Sequence, residues 1–93
     1  MDIKTVTKAW GNEISWTFGK CKSSQRYHSR RTYTMNCCLL KGEHTLTCKD
    51  SYGDGWHGGY LEIEGQKYCK NFRTGREKTT KVNIEGIKMI QVE

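Results

Sequence analysis

The residues with the clearest chemical potential lie together in Asp50-Ser51-Tyr52-Gly53-Asp54-Gly55-Trp56-His57-Gly58-Gly59. Four glycines in these ten residues allow positive φ and let the backbone turn its carbonyls inward. The two carboxylates, Asp50 and Asp54, stand four apart, with a glycine after the second. Calcium asks for this combination, because it takes about six to eight hard oxygen ligands from carboxylates, carbonyls and water. Counting from Asp50 as in an EF-hand loop puts Asp54 at position 5, Gly55 at 6 and the Trp56 carbonyl at 7. Leu61 falls at position 12, where the EF-hand needs a bidentate Glu, and no helical pattern flanks the loop. The spacing predicts a different calcium site, built from Asp50, Asp54, the Trp56 carbonyl and Glu62. The competing use of the same residues is a tight turn, in which Asp side chains cap their own backbone. Tyr52, Trp56 and His57 would present a ligand-binding face, since an aromatic ring stacks on the apolar side of a sugar or enters a membrane interface. A Trp in such a loop more commonly folds back to cover the end of the core.

Cys21, Cys37, Cys38, Cys48 and Cys69 form an odd set. They contain no C-x-x-C pair, and His28, His44 and His57 lack ligand spacing, which argues against structural zinc and thioredoxin-like redox chemistry. Disulfides in an extracellular domain remain. Cys48 and Cys69 flank the glycine-rich loop, and a bridge between them would clamp it. Cys37 and Cys38 point to opposite faces of a strand, so only one of them readily meets Cys21. Cys38 is the preferred partner, because Cys37 shares a face with Met35 and Leu39 and would serve as a small buried hydrophobe.

Charge marks a second region. Residues 1–49 hold nine Lys/Arg against three Asp/Glu, and residues 50–93 hold seven against seven, so the whole excess of +6 sits in the first half. Lys20, Lys22, Arg26, Arg30 and Arg31 fall within twelve residues that contain no acid. Such a segment either contacts a polyanion, whether nucleic acid, sulfated glycan or anionic lipid, or is a solvated loop, the more frequent use of a charge run.

The elements that must position these groups read as β almost throughout. Ile14, Trp16 and Phe18 alternate with polar residues, which is the pattern of a half-buried strand. Thr32–Leu40 and His44–Lys49 read as a hairpin around Gly42, Tyr60–Glu64 and Lys67–Phe72 as a second around Gly65, and Thr79–Ile84 with Ile87–Val92 as a third. Ile3–Trp10 would add an edge strand. Seven or eight short strands in 93 residues predict one all-β domain over 1–93, a small antiparallel sandwich or jelly roll stapled by disulfides. A chain that is 34% hydrophobic has a lean core, and the staples suit it.

The run DSYGDGWHGG, with YLEI after it and a strand ending in Cys48 before it, resembles the DSYGDGW-x-GG segment of cysteine-containing, β-rich modules of secreted eukaryotic proteins. EISW, KGEHTLTCKD and GQKYC also look like parts of that module, so the resemblance spans residues 12–72. It implies an extracellular adhesion, recognition or calcium-binding role. The basic segment 20–31 is not part of the pattern.

Nothing in the sequence assembles a catalytic constellation: there is no G-x-S-x-G elbow, HExxH or Walker loop. Asp54 and Glu62 as a glycosidase-like pair are outweighed by their use as turn caps or ligands. No apolar run is long enough to span a membrane. Met1-Asp2-Ile3-Lys4 lacks a signal-peptide core, so the expectation is either an intracellular chain or a mature secreted domain behind a start methionine. The cysteines favour the second. The reading is a secreted, calcium-dependent binding or adhesion module for carbohydrate, matrix or protein. The alternatives are a polyanion binder and an assembly subunit that pairs through strand edges.

Overall fold

The structure is a computed structural model and describes residues 1–23 and 26–84. Eight strands form: β1 Asp2–Val6, β2 Ile14–Phe18, β3 Cys21–Lys22, β4 Thr32–Asn36, β5 Gly42–Asp50, β6 Tyr60–Ile63, β7 Gln66–Tyr68 and β8 Glu77–Ile84. They make two antiparallel sheets of four, ordered β4-β1-β6-β7 and β3-β2-β5-β8. Only β2–β3 and β6–β7 are sequential hairpins; every other connection crosses between the sheets.

Alternation determines which faces meet. Ile14, Trp16 and Phe18 of β2 are buried while Ser15 and Thr17 are not, and Leu46, Cys48 and Asp50 of β5 follow the same period. They pack against Ile3, Leu61 and Ile63 of the other sheet in one core. Complete burial of a side chain such as Phe18 or Leu46 contributes about 1.5–3 kcal/mol. Trp16 carries a polar atom into this core, where its Nε1 donates to Thr5 Oγ1 at 3.1 Å and to Tyr27 Oη at 3.0 Å. The three groups satisfy one another across the two sheets.

Two disulfides tie one sheet to the other, Cys21–Cys37 and Cys48–Cys69. The second is the bridge expected around the glycine-rich loop. The first corrects the choice of Cys38, which is exposed with a free thiol. Cys37 does lie on the inward face beside Leu39, and that direction brings it against Cys21, which packs on the same core. Two intrachain disulfides suit an oxidising compartment. Among the described residues no helix is long and apolar enough to cross a membrane.

Three expectations about strands change. β4 ends at Asn36 and pairs with β1, so 37–41 is a crossover between sheets and not a hairpin turn. Leu39 drives this, because it is buried in the core where a turn residue would face water. β1 is an interior strand, flanked by β4 and β6, and not an edge. The β6–β7 hairpin forms as read, although β7 stops at Tyr68. The partner expected for β8, Ile87–Val92, lies outside the described residues.

Candidate functional site: a carboxylate pair at the loop end of the sandwich

The strand registers gather the irregular segments at one end. Val6 faces Thr32 and Tyr60 in one sheet, and Ile14 faces Asp50 in the other. Segments 7–13, 26–31, 51–59 and 69–76 therefore meet beyond these residues. Backbone bonds lace them together: Trp56 N–H donates to Phe72 O at 2.9 Å, Asp50 N–H to Arg76 O at 2.8 Å and Ser51 N–H to Glu13 O at 2.9 Å.

Asp50 organises the glycine-rich loop from within. Its side chain is buried, and Oδ2 accepts N–H bonds from Gly53 at 3.0 Å, Asp54 at 2.6 Å and Gly55 at 2.6 Å, while Oδ1 accepts from Tyr52 at 3.2 Å. This is the turn-capping use of Asp on an extended scale. Burial alone would raise the Asp50 carboxyl; the Asp54 side chain and the N–H groups of Tyr52, Asp54 and Gly55 outweigh it and hold the group below the ordinary carboxylate range. Two glycines permit the close packing behind the loop. Gly55 has φ 85°, and a Cβ there would stand 2.3 Å from Phe72 O. A Cβ on Gly59 would stand 2.8 Å from Val6 O.

Asp54 faces outward from this frame and meets two further groups. His57 Nε2 lies 3.2 Å from Asp54 Oδ2, and one carboxylate oxygen of Glu13 joins them, the three ligand atoms lying within 4.8 Å of one another. Glu13 arrives from the other side of the chain, at the end of a short 3-10 turn, Gly11–Glu13. The pairing of Ile14 with Asp50 delivers it. Glu13 Oε1 and Asp54 Oδ1 are both enclosed with no hydrogen-bond partner. Burial, then the charges of Asp54 and Asp50, raise the Glu13 carboxyl above its ordinary range, with His57 acting in the opposite sense. Two enclosed carboxylate oxygens in one cluster call for a shared proton, an ordered water or a cation. Hard oxygen donors of this kind fit a calcium-class ion, with Glu13 and Asp54 as ligands and His57 orienting Asp54.

Of the residues read from sequence as metal ligands, Asp54 stands in the cluster. Asp50 adjoins it with both oxygens already engaged by N–H groups. The Trp56 carbonyl accepts from Gly59 N–H at 2.8 Å. Glu62 does not come near: it sits on β6 opposite Lys4, beside Met1, Asp2 and Glu64 towards the other end of the sheet. The Trp56 ring is 1% exposed and donates Nε1–H to Lys49 O at 2.9 Å, so it covers the core and offers no stacking face. Tyr52 is 72% exposed, and His57 is exposed on the loop. Glu13 was not singled out from the sequence, although it opens the EISW segment whose pairing with β5 places it here.

The basic set divides. Lys20 lies in the β2–β3 turn and Lys22 on β3, whereas Arg26, Arg30 and Arg31 belong to a strap folded over residues 7–11 at the loop end. Tyr27, buried in the hydroxyl network with Trp16 and Thr5, pins that strap. No protein-family model, curated protein or solved structure matches the chain.

Proposed function

We propose that this chain is a secreted binding module whose loop end holds a calcium-class cation and presents a recognition surface around it. The observation that carries the reading is the pair of enclosed, unpartnered oxygens, Glu13 Oε1 and Asp54 Oδ1, in one cluster with His57. The cation would neutralise the pair and fix Glu13 of one sheet's entry turn to the loop that leaves β5. Backbone carbonyls and water would complete its oxygen shell. The glycine-rich loop is capped internally by Asp50, which takes the Asp54 and Gly55 N–H groups and fixes the backbone that carries Asp54.

The test is thermal unfolding of the oxidised protein in calcium and in EDTA at equal ionic strength. Saturation at a hundredfold excess over the dissociation constant stabilises the fold by about 2.7 kcal/mol. Glu13→Gln and Asp54→Asn should each abolish that shift. No shift at millimolar calcium would end the proposal. A shift produced by zinc and lost in His57→Gln would replace it with a mixed carboxylate–imidazole site.

A further inference from the structure

Beside the carboxylate cluster the same end of the sandwich carries a groove of opposite charge. It measures about 410 Å³ and is lined by Val6, Thr7, Lys8, Arg30, Arg31 and Thr32. Three of those six residues are cations and none is acidic. Among the described residues neither Lys8, Arg30 nor Arg31 has an ion-pair partner.

The groove is built and held. Thr7 N–H donates to Arg31 O at 2.8 Å, Arg31 N–H to Thr7 Oγ1 at 2.8 Å, and Arg30 N–H to Lys8 O at 3.1 Å. Thr7 Oγ1 in turn donates to His28 O at 2.6 Å. These bonds fix the backbone beneath the three cations, with Tyr27 anchored in the core behind them.

Two residues here also hold unfavourable backbone conformations. Arg30 has φ 57° and Trp10 has φ 61°, both left-handed, a conformation that is unfavourable for a residue with a Cβ. Their turns touch, since Gly11 N–H donates to Ser29 Oγ at 3.1 Å. Glycine would relieve either strain, yet an arginine and a tryptophan stand there. Trp10 is 56% exposed and lies two residues from Lys8.

From the unpaired cations of this groove we infer that Lys8, Arg30 and Arg31 bind the sulfate ester of a sulfated sugar, with the exposed Trp10, on the turn bonded to the strap through Gly11 and Ser29, as the candidate to stack on the pyranose. Guanidinium groups match the planar spread of oxyanion oxygens, and exposed aromatics stack on sugar faces. At this end the large exposed apolar side chains among the described residues are Trp10 and Tyr52, both aromatic; the exposed Leu40 lies in the β4–β5 crossover at the opposite end. The inference rests on the reading of this end as a recognition surface, and the groove itself contains no ligand of the cation site.

The experiment is isothermal titration of the full chain with a heparin-derived tetrasaccharide and with its desulfated counterpart, in calcium and in EDTA. Binding of the sulfated form alone, weakening steeply with salt, is expected. Arg30→Gly should weaken it about tenfold while leaving the melting temperature equal or higher, because the strain is relieved as the cation is lost. Arg31→Gln and Lys8→Gln should each weaken it as well. Unchanged affinity in all three variants would overturn the inference, as would capture by phosphatidylserine vesicles without any binding of the tetrasaccharide. Binding that vanishes in EDTA but survives Arg30→Gly would assign the sugar to the cation site and remove it from the groove. Binding that persists in EDTA, with no calcium effect on melting, would leave the groove standing and remove the cation.

Discussion

The strap 26–31 and the glycine-rich loop 50–59 lie at the same end of the sandwich, each enclosed by one disulfide, and they are built in opposite ways. Cys21–Cys37 closes a separation of 16 residues around the strap, and Cys48–Cys69 closes 21 around the loop. The strap holds itself through a buried neutral group, Tyr27, and displays cations. The loop holds itself through a buried anion, Asp50, and displays the Asp54 carboxylate. In both, the residue that anchors differs from the residues exposed for use, and the anchor's hydrogen bonds are satisfied by the fold itself. Charge pattern alone therefore identifies the display and misplaces the anchor. Asp50 and Asp54 illustrate this within one loop: the same residue type, four apart, with one filled by four N–H donors and the other left with an unpartnered oxygen.

The sharpest way to break the comparison is to remove the loop's anchor. Asp50→Ala leaves the N–H groups of Tyr52, Gly53, Asp54 and Gly55 without their acceptor, and a loss of about 3–5 kcal/mol is expected in urea unfolding. The loss should already appear in EDTA, where no calcium is bound. A variant destabilised only where calcium is present would make Asp50 a ligand and erase the distinction from Asp54. Next in size is the strap's covalent closure. Cys37→Ala should cost about 3 kcal/mol, as expected for a loop of this length, while Cys38→Ala should change stability by less than about 0.5 kcal/mol. Peptide mapping without reduction, with fragment ions read between the adjacent Cys37 and Cys38, checks the pairing, and fragments that link Cys21 to Cys38 alone would reverse the assignment.

Local features of the fold were legible because their signals are local. The alternation of Ile14, Trp16 and Phe18 fixes a face, and Cys48 and Cys69 flank a loop that any pairing must close. Long-range partners were not legible. Period-two alternation says that Cys37 and Cys38 face opposite ways, but which of them meets Cys21 depends on β3 and β4 lying in different sheets. Gly42 looks like the centre of a hairpin, yet it starts β5 after a crossover that buries Leu39. In the cluster, Asp54 and His57 share a loop, Asp54 read from sequence as a ligand and His57 only as part of a recognition face; Glu13 is 41 positions before Asp54 and reaches it only through the β2–β5 register. Glu62 is near the loop in sequence, but β6 carries it into the other sheet.

A smaller perturbation tests the strap's anchor. Tyr27→Phe removes the hydroxyl that accepts from Trp16 Nε1 and bonds Thr5 Oγ1, leaving that pair to each other. A loss of about 1 kcal/mol in urea unfolding is expected, the range for one buried hydrogen-bonded hydroxyl. Affinity for the sulfated tetrasaccharide should fall with it, because Arg30 and Arg31 lose their fixed base. Full affinity with reduced stability would show that the 7–11 contacts alone hold the strap.

The finest test is pH, where the two carboxylates of the loop end act with opposite signs. The Asp50 carboxyl is held below its ordinary value of 3.8, so the folded state releases its proton more readily than the unfolded one. Its stabilisation is present above that value and is lost as pH falls through the lower folded value. Glu13 is raised above its ordinary 4.5, so the folded state retains that proton longer. Its stabilisation is present below 4.5 and disappears as pH rises through the higher folded value. In EDTA, unfolding free energy measured against pH should therefore fall on the acid side from Asp50 and decline above 4.5 from Glu13. Subtracting the profile of Glu13→Gln from that of the unaltered chain isolates the second arm, which should vanish in the variant and flatten in calcium, because a bound cation favours the ionised form. A difference profile that rises with pH above 4.5 in EDTA would mean that Glu13 is already stabilised as a carboxylate by the protein alone, and the cluster would then have no need of an ion.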